Sequence, residues 1–381
     1  MKYFYTLLPF LFLTLILQAQ TTNFVSISDM PSAKSATSSA NDGTHIYVTN
    51  GFSLAGGYTM DVFKFDIANN SWSVLTNSTI AKRFGSAAIM GNNLFIFNGY
   101  VSNNVFNDAI EVVDVSTGTV TNTGLVNPQP AAAAGVSVDG NIIYSFGGST
   151  ATGFSNKLYA VNTATLTLTE LATMPVALET KGEVVNGKLY AIGGFNGSVS
   201  DKVYVYDIAT DTWTDEYTLP QTLSANATAV VGTRIYVVGD FSDQTFTGYF
   251  DTATNTFTET TSNLINRRHA SAEGVNGELY VMGGNTSSSG SSALASVQST
   301  NTTLSIDSYK EELISIFPNP TSDYINFSKE ISRLTLLNIS GSIIKRASDV
   351  KFLDVQDLQK GIYFLNVKEG KNVETLKLIK N

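Results

Sequence analysis

Two arginines, Arg83 and Arg268, are the residues of this chain whose type and spacing point most directly to binding chemistry. Each lies fifteen residues before a doublet of the type Gly-Gly or Asn-Gly, and Lys181, Glu179 and His269 occur close to the same place in copies of the pattern. Guanidinium groups hold carboxylate and sulfate groups through paired hydrogen bonds. We therefore expect a ligand site that accepts a carboxylate, a sulfated sugar or an acidic peptide. The alternative is structural: the arginines pair with carboxylates and join adjacent repeats.

Other kinds of chemistry find little support in the residues. The chain has no cysteine and only two histidines, His45 and His269, so we expect no metal site and no cofactor. A hydrogen-bonded structural role is the alternative for His269. We find no calcium loop of the Asp-x-Asp-x-Asp-Gly type, no Gly-x-Ser-x-Gly, no His-Glu-x-x-His and no phosphate-binding glycine loop. These absences favour a binding protein over a hydrolase.

A pattern that recurs six times must position these residues. An aliphatic-aromatic pair is followed two residues later by the doublet, and successive doublets are 48, 49, 46, 46 and 44 residues apart. This period is typical of a propeller, in which each repeat forms one blade. The doublets are Asn50-Gly51, Asn98-Gly99, Gly147-Gly148, Gly193-Gly194, Gly239-Asp240 and Gly283-Gly284.

Each repeat predicts four short strands, and the chain is therefore expected to be all-β. A small-residue inner strand precedes a turn such as Asn186-Gly187, which suits a tight hairpin. The second strand carries the aromatic pair. The third ends in a turn residue and is placed at 294–298 in the sixth repeat. The fourth carries a large apolar residue such as Trp72 or Trp213.

The segment 23–28 predicts how the ring closes. Together with Asp29-Met30-Pro31 it resembles 168–175, the outer strand of the third repeat, yet no inner strands precede it. Seven candidates thus compete for six outer-strand positions. We expect 23–28 to complete blade 6, which joins the two ends of the propeller and leaves no exposed sheet edge between them.

The pattern resembles the kelch repeat, and repeat 4 matches it best, with Leu189-Tyr190, Gly193-Gly194, Tyr206-Asp207 and Trp213. The resemblance covers about 22–305 and implies a six-bladed β-propeller. It also implies that residues fifteen before each doublet lie near one mouth of the central channel and contact ligands. These residues are Ser35, Arg83, Ala132, Leu178, Ser224 and Arg268.

Related kelch enzymes that interconvert sialic acid anomers use a Glu and an Arg in the central funnel. By resemblance, Glu179 or Glu183 with Arg83 or Arg268 would take those roles. A sialate mutarotase (N-acetylneuraminate epimerase) is thus the alternative function. We expect a non-catalytic module that binds a glycan or a surface protein, with Arg83, Arg268, Lys181, Glu179 and His269 at the channel mouth.

Both ends of the chain indicate export. Residues 1–20 combine a positive start with an apolar run and predict a signal peptide. After a linker at 306–312, residues 313–381 resemble the type A C-terminal sorting domain of the type IX secretion system, carried by Ile316-Phe317-Pro318-Asn319-Pro320 and Gly361-Ile362-Tyr363-Phe364. Short alternating strands there predict a small β-sandwich. The resemblance implies passage through the periplasm of a Gram-negative bacterium and then release or surface attachment.

Charge excludes two classes of partner. The chain has a formal net charge of −9, and its acidic excess lies within 21–305. An acidic body disfavours nucleic acid and anionic membrane surfaces as partners. No later apolar run approaches the length of a membrane-spanning helix, so we expect no transmembrane segment.

Overall fold

The computed structural model describes residues 20–54, 57–287, 292–301, 314–369 and 372–381. The chain divides into two compact units, Met1–Thr303 and Leu304–Asn381. The predicted signal peptide, apart from Gln20, and the predicted linker at 306–312 lie outside the described residues. No helix in these ranges has the length and apolar character needed to cross a membrane.

The described part of the first unit contains six four-stranded antiparallel sheets, here named blades 1 to 6. Each sheet is open, and each inner strand packs against the inner strands of both neighbouring blades, including blade 6 against blade 1. From inner to outer, the strands are Ser38–Asn41, His45–Thr49, Val62–Asp66 and Ser71–Thr76 in blade 1; Ser86–Met90, Asn93–Phe97, Ala109–Asp114 and Val120–Val126 in blade 2; Gly135–Asp139, Ile142–Phe146, Leu158–Asn162 and Thr167–Glu170 in blade 3; Glu179–Val185, Lys188–Phe195, Lys202–Asp207 and Thr212–Thr218 in blade 4; Ala227–Val231, Arg234–Val238, Thr247–Asp251 and Thr256–Glu259 in blade 5; and Ser271–Val275, Glu278–Met282, Val297–Asn301 and Val25–Ile27 in blade 6.

Additional short strands lie outside the four-stranded sheets. Thr21–Thr22 pairs in parallel with Thr261–Ser262, beside blade 5. Three small hairpins lie between the second and third strands of blades 1 to 3 and project from the blades as loops. They are Phe52–Ser53 with Gly57–Tyr58, Tyr100–Ser102 with Val105–Phe106, and Ser149–Thr150 with Gly153–Phe154.

The inner strands are short and carry small residues because they converge on the axis. Ala87, Ala88, Ala227 and Ala229 are all buried there. The larger apolar residues of the second and third strands fill the space between blades. Tyr190 and Phe250, for example, belong to adjacent blades and have ring centroids 5.7 Å apart. Packing of this kind replaces the disulfides that a chain without cysteine cannot form.

The N-terminal strand occupies the outer position of blade 6. Val25–Ile27 pairs antiparallel with the third strand, with Val25 opposite Ser299. The contacts around it repeat those between blades 3 and 4. Trp72 of blade 1 donates its Nε1 hydrogen bond to the Ser28 carbonyl at 2.8 Å, as Trp213 of blade 4 does to the Ala172 carbonyl at 2.9 Å.

The third strand of blade 6 is three residues further along than the sequence predicts. It runs over Val297–Asn301 and not over 294–298, with the fully buried Val297 opposite Met282. Leu294 instead bridges Lys34 through backbone hydrogen bonds. The Ser-rich loop of this blade is therefore longer than a count from the other blades suggests.

The doublets bring the backbones of neighbouring strands close to the channel mouth. Both residues of Asn98-Gly99 have positive φ, which Asn and Gly adopt at low cost. A Cβ atom on Gly99 would lie 2.6 Å from the Arg83 carbonyl oxygen, and one on Gly284 would lie 2.8 Å from that of Arg268. The second doublet residue must therefore lack a side chain for the arginines to sit where they do.

The second unit contains two antiparallel sheets around a single apolar core. One sheet comprises Ile316–Phe317, Tyr324–Ile331 and Val350–Asp354, and the other comprises Ile343–Ala347, Arg333–Asn338, Gly361–Glu369 and Asn372–Lys380. Ile325 and Leu353 from the first sheet meet Leu336 and Leu365 from the second, and all four are buried. The predicted alternating strands thus bury one face of each sheet in a common core.

Candidate functional site

Six residues at the entrance to the inner strands form a ring at one end of the channel, here called the rim column. Each pairs through its backbone with the residue that lies two positions after the first residue of its blade's doublet. Arg83, for example, pairs with Tyr100, and Arg268 with Asn285. The rim column comprises Ser35, Arg83, Ala132, Glu179, Ser224 and Arg268.

In blade 4 this assignment corrects the sequence count, which places Leu178 in the column. In blade 2, two residues separate Arg83 from Ser86, and their partners on the second strand are Tyr100 and Phe97. In blade 4 only Thr180 separates Glu179 from Lys181, although their partners, Phe195 and Ile192, are the same distance apart in sequence. Blade 4 is therefore one residue shorter at its entrance. Glu179 takes the position that an arginine holds in blades 2 and 6.

The shorter entrance interrupts a second ring of residues. In the other five blades the residue after the rim column has a φ between +50° and +54°, and these residues are Ala36, Phe84, Ala133, Ala225 and His269. Left-handed backbone costs about 1 kcal/mol or more for such side chains. Here it lets the backbone N–H of one blade donate to the carbonyl of the preceding blade: Phe84 to Ala36, Ala133 to Phe84, Ala36 to His269 and His269 to Ala225, at 2.8 to 3.0 Å. Strain of this kind is concentrated at functional sites.

The interrupted ring surrounds a cavity of about 330 Å³, here called the mouth cavity. All five left-handed residues line it, and Glu179 and Lys181 line it at blade 4, where the ring is open. The aromatic side chains of Phe195 and Phe241 form part of the cavity wall. A second cavity, of about 400 Å³, is lined by Arg83, Tyr100 and Asn103 and shares Phe84, Ala133 and Glu179 with the first.

The structure thus brings together most of the predicted site. Glu179, Lys181 and His269 line the mouth cavity, and Arg83 lines the adjoining one. Arg268 lines neither cavity. Its guanidinium carbon lies 4.2 Å from the centroid of the Phe241 ring, which forms part of the mouth cavity wall.

The two rim arginines have aromatic neighbours and no carboxylate partner. The guanidinium carbon of Arg83 lies 5.3 to 5.7 Å from the ring centroids of Phe52, Tyr58, Phe84 and Tyr100. Within the part of the chain that the structure describes, neither arginine forms an ion pair, and the buried Nε of each lacks a hydrogen-bond acceptor. Buried donors are nearly always satisfied, so these two donors are exceptions to the usual pairing.

A neighbouring column of residues satisfies its side chains within its own blade and joins the preceding blade through its backbone. The Lys82 N–H, for example, donates to the Thr59 carbonyl of blade 1, and the Lys82 carbonyl accepts from the Gly51 N–H. Lys34 pairs with Asp61 at 2.5 Å and Lys82 with Glu111 at 2.8 Å, and both lysine side chains are completely buried. Arg267, also fully buried, donates to the carbonyls of Gly283 and Ser296. These residues, here called the stitching column, directly precede Ser35, Arg83 and Arg268.

Enclosure in the mouth cavity changes the acid–base properties of its side chains. Burial lowers the pKa of the Lys181 amine to about 8, although the Glu179 and Glu183 carboxylates favour its charged form. Burial also raises the pKa of the Glu179 carboxyl. The pKa of His269 falls to about 4 because of burial and the nearby cations. At neutral pH His269 is therefore uncharged, and its Nδ1 lies 3.2 Å from the Asn285 amide oxygen.

Two carboxylates lie further along the channel and join adjacent blades. Glu183 accepts hydrogen bonds from Ser137 of blade 3 and Thr228 of blade 5, and Glu273 accepts from Ser39 and Asn41 of blade 1. Burial, with repulsion from Glu273, raises the pKa of Glu183 to about 7. Because their acceptor atoms are already satisfied, we assign these residues to the framework of the channel.

Sequence reasoning missed the aromatic part of the site. The residues that pair with the rim column are Phe52, Tyr100, Ser149, Phe195, Phe241 and Asn285, of which four are aromatic. Their spacing from the doublets is constant, so the signal was present in the sequence. Only the strand pairing shows that they stand beside the arginines. The described residues contain no group of three or more His, Cys, Asp or Glu side chains that could hold a metal ion.

The repeat pattern, the doublets and the paired columns agree with a comparison against known families. Residues 35–240 match the model of the KLHDC2/KLHL20/DRC7 Kelch-repeats domain. The chain is a kelch-repeat protein. The predicted all-β kelch-type fold is confirmed.

The other comparisons extend this assignment of the kelch protein. Residues 315–381 match the secretion system C-terminal sorting domain, which confirms the second predicted resemblance and implies secretion or attachment to the bacterial cell surface. A curated relative, "Putative protein tag-53" from Caenorhabditis elegans, is 25% identical over 178 residues. The match covers 42% of this chain and 13% of that protein's length.

Proposed function

We propose that this kelch protein is an exported binding module that holds a glycan or a protein segment at the channel mouth, where an acidic group of the ligand meets the rim arginines. The unpaired guanidinium groups of Arg83 and Arg268 carry the proposal. Arg268 is buried and Arg83 is half-buried. A partly desolvated cation that lacks a carboxylate partner binds an incoming carboxylate or sulfate more strongly than an exposed cation does, because part of the desolvation cost has already been met in folding.

The aromatic residues favour a sugar as the bound group. Phe195 and Phe241 are 37% and 49% exposed, although both belong to the aromatic types that usually bury most of their surface. Together they offer flat apolar faces next to the cations. A sugar acid presents an apolar ring face and a carboxylate on one small molecule, which matches this combination.

A matched pair of ligands tests the proposal. The purified protein is titrated calorimetrically with D-glucuronate and with D-glucose, which differ by one carboxylate, and then with N-acetylneuraminate and a sulfated sugar. Saturable binding of at least one acidic sugar, without binding of glucose, is the expected result. If no acidic sugar binds and an acidic peptide does, the ligand is a protein segment; if neither class binds, the proposal is wrong.

The second candidate is a sialate mutarotase. It is favoured by one observation, that Glu179 lines both cavities and shares one of them with Arg83. A carboxyl group whose pKa is raised by burial suits general acid–base chemistry near neutral pH. Anomer exchange of N-acetylneuraminate, followed by NMR, would increase on addition of the protein and return to the uncatalysed rate with Glu179→Gln. An unchanged exchange rate would exclude this activity.

For export, we propose that residues 1–20 direct the chain into the periplasm of a Gram-negative bacterium and that 313–381 then direct it through the type IX system. The match of 315–381 to the sorting domain supports this route. Deletion of 313–381 is expected to retain the protein in the periplasm, as measured by immunoblots of cell fractions. Normal appearance of the truncated protein outside the cell would contradict the route.

A further inference from the structure

Lys181 differs from the other cations of the mouth, because it is a primary amine placed on the wall of an apolar cavity. Its Nζ donates a hydrogen bond to the Ala134 carbonyl at 3.0 Å. Around it, Phe84, Ala133 and Phe195 line the cavity. Neither buried ion pair of the stitching column involves this residue.

The bulge at the start of blade 4 places an acid beside this amine. The ladder with the second strand shifts register between Glu179 and Lys181, and both residues line the mouth cavity. Residues two apart in a strand point to the same face of the sheet. Glu179 and Lys181 are two apart, and both line the mouth cavity at blade 4, where no left-handed residue lies between the rim column and the inner strand. Lys181 is thus an amine with a proton donor and acceptor at its side.

The surroundings of Lys181 also favour its uncharged form. Burial lowers the pKa of Lys181 and so favours the free amine, and this is the largest effect. The Glu179 and Glu183 carboxylates act in the opposite direction and favour the ammonium ion, while the nearby His269 is uncharged at neutral pH. A free amine in a desolvated pocket is a nucleophile toward carbonyl carbon, as lysines that form Schiff bases demonstrate. At pH 8 a pKa near 8 leaves on the order of a hundredfold more free amine than an exposed lysine has.

The neighbouring cavity supplies the group that would orient a carbonyl compound. Glu179 and Phe84 line both cavities, and Arg83 lines the second one. We take Arg83 as the group that holds the carboxylate of a compound whose carbonyl carbon enters the mouth cavity. The compound class with a ketone next to a carboxylate is a 2-oxo acid.

We propose that the Lys181 amine captures the ketone carbon of a 2-oxo acid, free or as the open-chain form of an acidic sugar, as a reversible imine in the mouth cavity. The nitrogen lone pair forms the C–N bond, and the carbonyl oxygen takes a proton from the Glu179 carboxyl. The nitrogen of this adduct carries two hydrogens and a positive charge, and it gives up one hydrogen to the oxygen as the C–O bond breaks and water leaves. The product is the protonated imine beside the Glu179 carboxylate. Nothing is oxidised or reduced, and hydrolysis returns both partners.

This inference uses the proposed function only in taking Arg83 as the partner of the carboxylate. Its test is therefore covalent, whereas the test of the proposed function measures reversible binding without a reductant. The purified full chain is incubated at pH 8 with pyruvate or N-acetylneuraminate and sodium cyanoborohydride, which reduces an imine to a stable amine. Peptide mass mapping then locates the adduct, and Lys351, whose side chain is 73% exposed, serves as the internal reference.

Labelling of Lys181 at least about tenfold faster than of Lys351 is expected with pyruvate, in keeping with the difference in free amine. Adducts of pyruvate alone would identify a free 2-oxo acid as the ligand, and adducts of both probes would extend the proposal to acidic sugars. Lys181→Arg keeps the charge but cannot form an imine, so it must lose the fast label. Arg83→Met should slow labelling by pyruvate but not by acetaldehyde, which has no carboxylate.

Two results would overturn the inference. One is labelling of Lys181 at or below the rate of Lys351. The other is a total extent of fast labelling that is the same in Lys181→Arg as in wild type. Because circular dichroism of Lys181→Arg and Lys181→Met reports folding separately, loss of structure in one variant does not remove the test. If Lys181 is not labelled but acidic sugars bind reversibly, only this inference fails and the proposed function stands.

Discussion

Lys82 and Arg83 are neighbours in the chain, and they belong to two columns of residues with different surroundings. Lys82 is completely buried and pairs with Glu111, whereas Arg83 stands among four aromatic rings without a carboxylate partner in the described structure. The same contrast holds for Arg267 and Arg268. One step along the backbone thus separates a cation that is satisfied inside its blade from a cation at the channel mouth that has no carboxylate partner in the described structure.

The difference shows that charge alone does not identify a binding residue. In a repeat where one side chain is satisfied inside its blade and the next lies at the channel mouth, the backbone pairing distinguishes the two positions. The rim column is fixed by the bridge to the residue after the doublet, as between Arg83 and Tyr100. A residue of the stitching column is recognised by its backbone carbonyl, which accepts a hydrogen bond from the doublet of the preceding blade. The Lys82 carbonyl, for example, accepts from the Gly51 N–H.

The largest expected effect is on stability, from Lys82→Ala. Removing the amine leaves Glu111 buried without its partner, which costs about 3 to 5 kcal/mol in the free energy of unfolding. Arg83→Ala is the matched control and should change this free energy by less than about 1 kcal/mol, since no ion pair is lost. Urea denaturation measures both. Equal losses in the two variants would erase the distinction between the columns.

Next in size is the effect of the rim arginines on binding. Arg83→Ala and Arg268→Ala should each reduce the binding free energy of an acidic sugar by about 1.5 to 3 kcal/mol, the usual value of a hydrogen bond to a charged group. Arg234→Ala removes the same charge from blade 5, where Arg234 pairs with Asp251 at 3.3 Å, and should leave affinity unchanged. Calorimetric titration compares the three. A similar loss in Arg234→Ala would point to net charge and not to the rim.

The channel carboxylates predict how stability depends on pH. The folded-state pKa of Glu183 is raised to about 7, so the folded protein holds its proton more tightly than the unfolded chain. Its contribution to stability is complete below about pH 4.5 and is lost as pH rises through 7. Glu183→Gln should therefore stabilise the protein at pH 8, by on the order of 2 kcal/mol, and change it little at pH 5.

Thermal unfolding of Glu183→Gln and wild type at both pH values checks this sign. His269 acts in the opposite direction, since its lowered pKa makes stability fall as pH drops from 6.5 toward 4. Because His269 contributes equally to both proteins at a given pH, Glu183→Gln is compared with wild type separately at pH 8 and at pH 5. Glu170→Gln, at an exposed pair with Lys157, is the control. A gain in Glu183→Gln at pH 5 and none at pH 8 would reverse the account.

The smallest effect concerns the aromatic wall. Phe195→Ala and Phe241→Ala should each weaken sugar binding by about 1 kcal/mol, through lost stacking and apolar contact. Because both side chains are partly exposed, stability should change little. Phe317→Ala, in the second unit, is an exposed aromatic control. Full retention of affinity in both wall variants would favour a ligand held by charge alone.

Much of the fold could be predicted because the repeat encodes it six times. The doublets set the period, the small inner strands and Trp72 or Trp213 mark the two edges of a blade, and the likeness of 23–31 to 168–175 indicated an outer strand without its sheet. The third strand of blade 6 was misplaced by three residues because its loop is longer than in the other blades. Loop length leaves no trace in strand periodicity.

The candidate site was predictable in its residues and less so in its geometry. Counting back from the doublet identified Arg83 and Arg268, but it failed in blade 4, where one residue is missing and Glu179 replaces Leu178 in the rim column. Counting also could not show that Arg268 lies beside the mouth cavity and not in its lining. Such differences depend on backbone pairing between strands, which a single sequence does not display.

The central claim is that the rim column binds acidic ligands while the side chains of the stitching column stabilise the blades. The most direct measurement titrates wild type, Arg83→Ala and Lys82→Arg with D-glucuronate and D-glucose, with the free energy of unfolding measured on the same samples. We predict that glucuronate alone binds wild type, that Arg83→Ala loses this binding while remaining stable, and that Lys82→Arg binds normally but is less stable. Equal binding of glucuronate to wild type and a stably folded Arg83→Ala would contradict the account.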